Sequence, residues 1–335
     1  MPTFGAKALT RIATASQAAF GTAAAIGTAT GEILFSETIG SLDLGVTVDL
    51  GETVSVGKRT AIQASQPTIT GKAPILTIAE GPASMRTLPL IFDAIGATTA
   101  GTASPYTWTW SPTQGDVDTL VFYSFLVEDG VQKYLVRDAA PTEITLSADA
   151  SGLLQAGATF AATTAATSVL AFPTAIPTNP FLAGRLMKLT TTSTFPAKGS
   201  TPTPTTYSSI YNFNLSITTG VGMVTALDGS LTAATAALTG VLDATLTFTV
   251  ASNTAAGSTF PITDIAAQKY LRLFGTTTDN YGVWILGSWE IESITPLSAD
   301  NEGVVVNEVV CRLAYDTTSG KSLEIVIDSP LATAP

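Results

Sequence analysis

The sequence predicts a mainly β protein: two tandem β-sandwich or half-barrel units, each carrying one short helix. Three observations lead there. Apolar and polar residues alternate with period two along many short segments, the pattern of strands with one buried and one wet face. Segments with helical spacing are few. Finally, the chain repeats itself. Leu146–Asp149 and Leu297–Asp300 both read LSAD, each after an Ile-Thr pair (Ile144-Thr145, Ile294-Thr295) and each followed by a glycine (Gly152, Gly303) and an apolar run. Leu42–Val46 alternates like Phe213–Ile217. Thr70-Gly71 before Ile75–Ile78 matches Thr239-Gly240 before Thr245–Phe248, and an apolar segment closing on Gly96 matches one closing on Gly275. The matches keep their order while their spacing drifts, as loops of unequal length require. Repetition of this kind changes the count of structural units.

Taken in order, residues 1–30 form an N-terminal arm. Lys7 and Arg11 precede an Ala-rich stretch, but Ser16, Gln17, Gly21 and Thr22 interrupt it and no Leu/Ile/Val run supplies an export signal; an extended, mobile arm is expected. The first unit spans 31–165. Leu42, Leu44, Val46, Val48 and Leu50 alternate with Asp43, Thr47 and Asp49, and Gly51-Glu52 turns into Thr53–Gly57, giving a long hairpin. Its counterpart is Tyr211–Thr218, a Gly220/Gly222 turn and Met223–Leu227. Further strands fall near 66–71, 74–80, 105–111, 118–127, 131–137, 142–148 and 153–161, with Asp129-Gly130 as a hairpin turn. Residues 83–95 have helical spacing and stop at Gly96, and Pro89 either places the helix start near itself or kinks the helix. Residues 166–182 form a linker in which Pro173, Pro177 and Pro180 resist regular structure. The second unit spans 183–330, with strands near 185–193, 234–240, 244–251, 281–287, 289–295, 303–315 and 321–328. Pro196–Thr206 is a surface loop, and 263–274 is the second helix, with Thr263 or Asp264 as N-cap and Gly275 at its end.

Composition excludes several function classes. Only 12% of residues are charged, against roughly 25% in ordinary soluble domains. No segment approaches the roughly 18 consecutive apolar residues of a membrane span. A chain so poor in charge is expected to hide surface against copies of itself or a partner. With 15 basic and 26 acidic residues the net charge is −11, so nucleic acid can border this protein without being gripped by it. There is no histidine, which removes His-based triads, metal sites and pH switches. The single Cys311 has no intrachain partner and lies in an apolar run, as a buried structural thiol does.

Candidate chemistry is sparse. Glu290 and Glu292 share one face of a strand, but glycosidic acid–base pairs need a cleft and set separations, and two acids on a wet face are ordinarily only solvated. Gly320-Lys321-Ser322 ends like a phosphate-binding loop, yet Tyr315 stands where the first glycine belongs. Tyr106, Trp108 and Trp110 alternate and face one side of a strand, either as core or intersubunit packing or as a stacking platform for sugars. Asp116 and Asp118 lack the ligand density of a cation site. No catalytic residue, cofactor site or metal site is expected; the chain reads as an assembly subunit rather than an enzyme.

The hairpin Leu42–Val56, the helix closing at Gly96, Tyr106-Thr-Trp-Thr-Trp110 before a loop, the strand Glu143–Ala148 running into Gly152, and the passage Lys269–Tyr315 occur in an order that resembles the tail tube protein, or major tail protein, of long-tailed non-contractile bacteriophages. The resemblance covers about residues 31–328. It implies a virion protein of the viral tail, assembled in the host cytoplasm, that self-assembles into stacked rings. Hairpins of neighbouring copies then join into one β-barrel lining a channel for genome delivery. Two fused tube domains imply a homotrimeric, pseudo-hexameric ring, with a homohexamer as the alternative. The implied partners are further copies, the tape measure, tail tip and terminator proteins, and DNA that passes without specific binding. Asp43, Thr47, Asp49, Asn214, Ser216 and Thr218 are the candidates for facing the lumen. A surface fibre or capsid-decoration protein is the rival reading, and a carbohydrate-binding module a more distant one.

Overall fold

The computed structural model describes residues 11–27, 32–34, 39–49, 68–112, 120–174, 179–199, 205–207, 210–226, 228, 230–251, 260, 262–301 and 304–334. Thr53–Gly57, Asp116, Asp118 and the first ten residues of the arm lie outside them. The described chain is mainly β, as the alternation predicts. Its strands are β1 (Arg11–Ser16), β2 (Glu32–Leu34), β3 (Ile39–Asp43), β4 (Val46–Asp49), β5 (Thr68–Lys72), β6 (Ile75–Pro82), β7 (Thr98–Ala100), β8 (Tyr106–Trp110), β9 (Tyr123–Glu128), β10 (Lys133–Asp149), β11 (Gln155–Ala161) and β12 (Thr164–Thr167). They continue as β13 (Lys188–Thr192), β14 (Thr205–Tyr207), β15 (Ile210–Thr218), β16 (Val221–Val224), β17 (Thr235–Leu238), β18 (Asp243–Ala251), β19 (Gln268–Thr276), β20 (Gly282–Asn301), β21 (Val304–Leu313) and β22 (Leu323–Ser329). One α-helix, α1 (Leu88–Asp93), lies between β6 and β7.

The strand pairings are antiparallel and repeat. In the first half β2 pairs with β1, β1 with β9, β9 with the start of β10, β12 with the other edge of that start, and β11 with the end of β10; β11 then pairs with β6 and β6 with β3. In the second half β14, β13, β19, β20, β22, β21, β18 and β15 pair in the same pattern, strand for strand. The small ribbon β4–β5 between β3 and β6 has its counterpart in β16–β17 between β15 and β18. The two LSAD segments fall at the C-terminal ends of the equivalent strands β10 and β20.

β10 and β20 are the hinges of this architecture. β10 starts in one sheet and ends in another, and β20 likewise changes partners along its length, from β19 and β22 to β21. β10 changes sheets where Asp138 takes a left-handed conformation (φ 54°) and the ladder to β9 shifts between Val136 and Ala139; a second shift at Pro141/Glu143 follows on the β11 side. Asp tolerates this conformation better than most residues. Its buried carboxylate accepts the Gly21 N–H (2.6 Å) and the Thr163 hydroxyl (2.5 Å), so its charge stays hydrogen-bonded.

The halves meet edge to edge. The end of β10 pairs with β15 from Glu143/Thr218 to Asp149/Asn212, which makes one sheet in the order β3-β6-β11-β10-β15-β18-β21-β20. Behind it, β8 of the first half pairs with β22 of the second, from Trp110/Ile325 to Tyr106/Ser329. The hairpin β7–β8 has no counterpart in the second half among the described residues. Buried side chains from both halves, Phe160 and Phe248 among them, belong to one continuous apolar core.

Several expectations need correction. The second expected helix is a strand: Gln268–Thr276 is β19, preceded by a single 3-10 turn at Ile262–Asp264. Leu271 and Leu273 are buried two residues apart, and β13 and β20 bond both edges, so tertiary pairing overrides the helical spacing. In the first half the helix is only Leu88–Asp93, because Pro89 fits within the first turn and not deeper.

The expected hairpin from Leu42 to Val56 is also revised. Leu44 and Gly45 (φ 58°) end β3, and β4 pairs with β5 rather than continuing β3, which leaves Leu44 and Val46 each 44% exposed. Thr219-Gly220 (φ 75°) ends β15 in the same manner, so β16 pairs with β17 and not with β15. Part of the expected arm is core as well: Ile12, Ala13 and Thr14 of β1 are fully buried against β9, where small side chains let the strand sit close. Leu182, from the Pro-rich stretch, is fully buried too, and its carbonyl accepts the Leu154 N–H (2.8 Å).

Candidate assembly surface

The eight-stranded sheet buries one face and leaves the other open. On β15 the alternation is complete: Phe213, Leu215 and Ile217 are buried, while Asn212, Asn214, Ser216 and Thr218 are exposed. Rows of side chains run across the strands on that open face. One is Ser41–Thr77–Thr159–Glu143–Thr218–Asp243; the next is Thr145–Ser216–Thr245–Arg312–Glu290. Short hydroxyl and amide side chains dominate, as favours a flat polar ladder. Ser147 bonds Glu80 across the face, and Thr249 donates to Asn212 Oδ1 (2.9 Å).

The charge on this face is mostly negative. Glu80, Glu143, Asp149, Asp243, Glu290 and Glu308 lie on it, and Arg312 is the one cation among the described residues of this sheet, since Lys133 and Arg137 belong to the start of β10, which pairs with β9 and β12 instead. Arg312 is held by Asp243 at 2.9 Å, and that hydrogen bond and charge push its pKa up. Asp149 is held below the usual carboxylate range by the hydroxyl and N–H of Ser151. The face therefore offers phosphate very little to grip.

The edges of this sheet are the other chemical resource. β3 uses one edge for β6, and its other edge has no strand partner among the described residues. β20 beyond Ile291 uses one edge for β21, and its other edge is likewise open among the described residues. In the middle of the sheet the same two edges meet, since β10 is the counterpart of β20 and β15 of β3. The open edges are thus complementary to each other. The two ribbons stand side by side at one rim, where the Lys72 N–H donates to the Leu231 carbonyl (2.7 Å), and they expose Val46, Ile69 and Leu231.

The candidate residues divide as follows. Asn214, Ser216 and Thr218 on β15 and Asp43 on β3 share the open face, with Asp43 Oδ1 accepting the Gly45 N–H (2.9 Å). Thr47 is exposed on ribbon β4–β5, apart from that sheet. Asp49 pairs by its backbone with Thr68 in the same ribbon. The period-two pattern could not separate ribbon from sheet, because Gly45 alone marks the break. β8 falls where a strand is expected near 105–111, while β7 and the register across β10–β15 left no signal in the local sequence.

The rejected chemistries have plain structural accounts. Trp108 and Trp110 are buried, and the Trp108 Nε1–H donates to the Leu331 carbonyl (2.8 Å), so they form no exposed platform. Gly320-Lys321-Ser322 closes a turn in which Asp316 accepts the N–H groups of Thr318 and Ser319 and Lys321 pairs with Glu324. Cys311 is fully buried, and desolvation pushes its thiol pKa up to about 12. No group of three or more metal-ligating side chains occurs among the described residues, and no helix there is long and apolar enough to cross a membrane. No family model matches the chain, and no curated protein matches its sequence.

Proposed function

We propose that this chain is the ring-forming subunit of a tail tube, a virion protein of the kind that builds the tail of long-tailed non-contractile bacteriophages. The observation that carries the reading is the head-to-tail repeat of the eight-stranded sheet. Its centre joins a β10-type edge to a β15-type edge, and its two ends expose one edge of each kind. A heterologous joint of this sort either closes into a ring or propagates as a filament. Closure removes open strand edges, which otherwise invite aggregation. Three copies give a ring of six units, and stacked rings enclose a channel walled by the open polar face, with Asp43, Asn214, Ser216 and Thr218 toward the lumen. A wall of hydroxyls, amides and carboxylates repels phosphate and lets DNA slide through. The tape measure, tip and terminator proteins are the partners this role requires.

Electron microscopy of the purified chain, with native mass spectrometry of the smallest assembly, tests the reading. Annular rings or hollow tubes built from trimers support it, and a ring of six chains replaces the trimer by a hexamer. A protein that stays monomeric at every concentration, or forms solid threads, overturns it in favour of a surface or decoration role.

A further inference from the structure

The joint inside the chain carries a register, and the repeat transfers that register to the joint between copies; the inference rests on the ring reading above. The row Ser41–Thr77–Thr159–Glu143 of the first half corresponds to Ser216–Thr245–Arg312–Glu290 of the second. Ser41 is therefore equivalent to Ser216, Asp43 to Thr218, and Glu143 to Glu290. One row along, Thr145 opposite Gly157 is equivalent to Ser293 opposite Val310. Within the chain Thr145 faces Ser216, and Glu143 faces Thr218. Carried over to two copies, Ser293 faces Ser41 of the next copy. The edge of β20 at Glu290 and Ile291 is already bonded to residues 266–268, so the new ladder begins past them, at the bulge that inserts Glu292 between Ile291 and Ser293. Asp43 of the next copy then lies beside Glu290 and Glu292.

We infer that the seam between copies is a carboxylate seam, Asp43 against Glu290 and Glu292, which restrains ring closure near neutral pH and releases it when the acids are protonated or screened. The groups facing these acids offset them only in part. Arg312 on β21 lies opposite Glu290 and attracts both Glu290 and Glu292, but its single charge is shared with Asp243, which holds it at 2.9 Å. Gln268 on β19 lies opposite Glu290 and spends its amide on the Ser288 hydroxyl (2.6 Å). Ile75 on β6 lies opposite Asp43. The seam inside the chain has no such opposition, since Glu143 meets a threonine there. Like charges opposed across strands destabilise the pairing. The fused joint forms freely, and the joint between copies forms conditionally. A subunit built in this way stays unassembled until something overcomes the repulsion.

The test uses the full-length chain. Sedimentation velocity gives the concentration at which rings form, near pH 7.5 and near pH 5, at low and high salt. The expected result is earlier assembly at the lower pH and at high salt. Asp43→Asn with Glu292→Gln should assemble near pH 7.5 at roughly fivefold lower concentration and lose most of the pH dependence. Glu143→Gln should leave the ring-forming concentration unchanged. Ser41→Cys with Ser293→Cys reads the register directly: oxidation should link copies covalently into closed trimers, with the buried Cys311 inert. Rings that form indifferently to the Asp43 and Glu292 changes, or that do not crosslink through these cysteines, overturn this inference and leave the ring reading standing. A chain that associates under none of these conditions overturns both.

Discussion

Leu146 on β10 and Leu215 on β15 face each other across the joint between the halves, and both are fully buried. Leu246 of β18 is the next buried residue in the same row. Replacing either leucine by alanine removes three carbons, about 2.5 kcal/mol of transfer free energy at about 0.8 kcal/mol per carbon. A cavity term adds to this because ladders on both sides hold the strands in place, so each single change should cost about 3–4 kcal/mol. The double variant should fall short of the sum by about 1 kcal/mol, since the second truncation enlarges a cavity that already exists. Urea unfolding followed by tryptophan fluorescence measures all three. Trp108 and Trp110 report on the first half, Trp284 and Trp289 on the second, and all four are buried. With one shared core, every variant should shift a single transition common to both pairs. Strict additivity, or a loss confined to the second-half tryptophans, would refute the continuous core.

Gly45 and Gly220 end equivalent strands with positive φ, and a Cβ would sit 1.9 Å from the Ala73 carbonyl oxygen in one case and 2.4 Å from that of Gly240 in the other. Alanine at either position should lower thermal stability by at least about 1–3 kcal/mol, as calorimetry would show. The Cys311 thiol should ignore a thiol reagent near pH 8 in the folded protein and react at once in concentrated guanidinium, since burial holds its pKa at about 12. Asp93, whose carboxylate accepts the Tyr123 hydroxyl at 2.5 Å, has its pKa raised above 3.8, chiefly by burial. Its contribution to stability is complete below 3.8 and is lost as pH rises through the raised value. Asp93→Asn should therefore gain on the parent as pH rises from 3.8 through the raised value; a flat difference in unfolding free energy would contradict the shift.

The sequence carried much of this architecture because side-chain alternation is a local property. Burial on β15 and β18 follows it residue by residue, and the Asp129-Gly130 turn sits where two apolar runs meet. The two LSAD segments fall on equivalent strands, although the ladders make Thr145 the equivalent of Ser293 and not of Thr295, so the match is out of register. The failures share a cause. Gln268–Thr276 satisfies helical and strand spacing equally, and the choice fell to the neighbours that bond both its edges. The same holds for the partner of β4, and for β1, whose small residues carry no pattern until β9 covers them.

What the sequence determined by itself was the mainly β class of structure, together with the polar face of β15, since these depend on residues a few positions apart. What only the tertiary structure decided was how the halves meet. The β10–β15 register, the strap of β8 on β22 and the two open edges join residues far apart in the chain. Their hydrogen bonds are backbone to backbone and identical for any side chain, so only the packing of the finished core selects one register from the others.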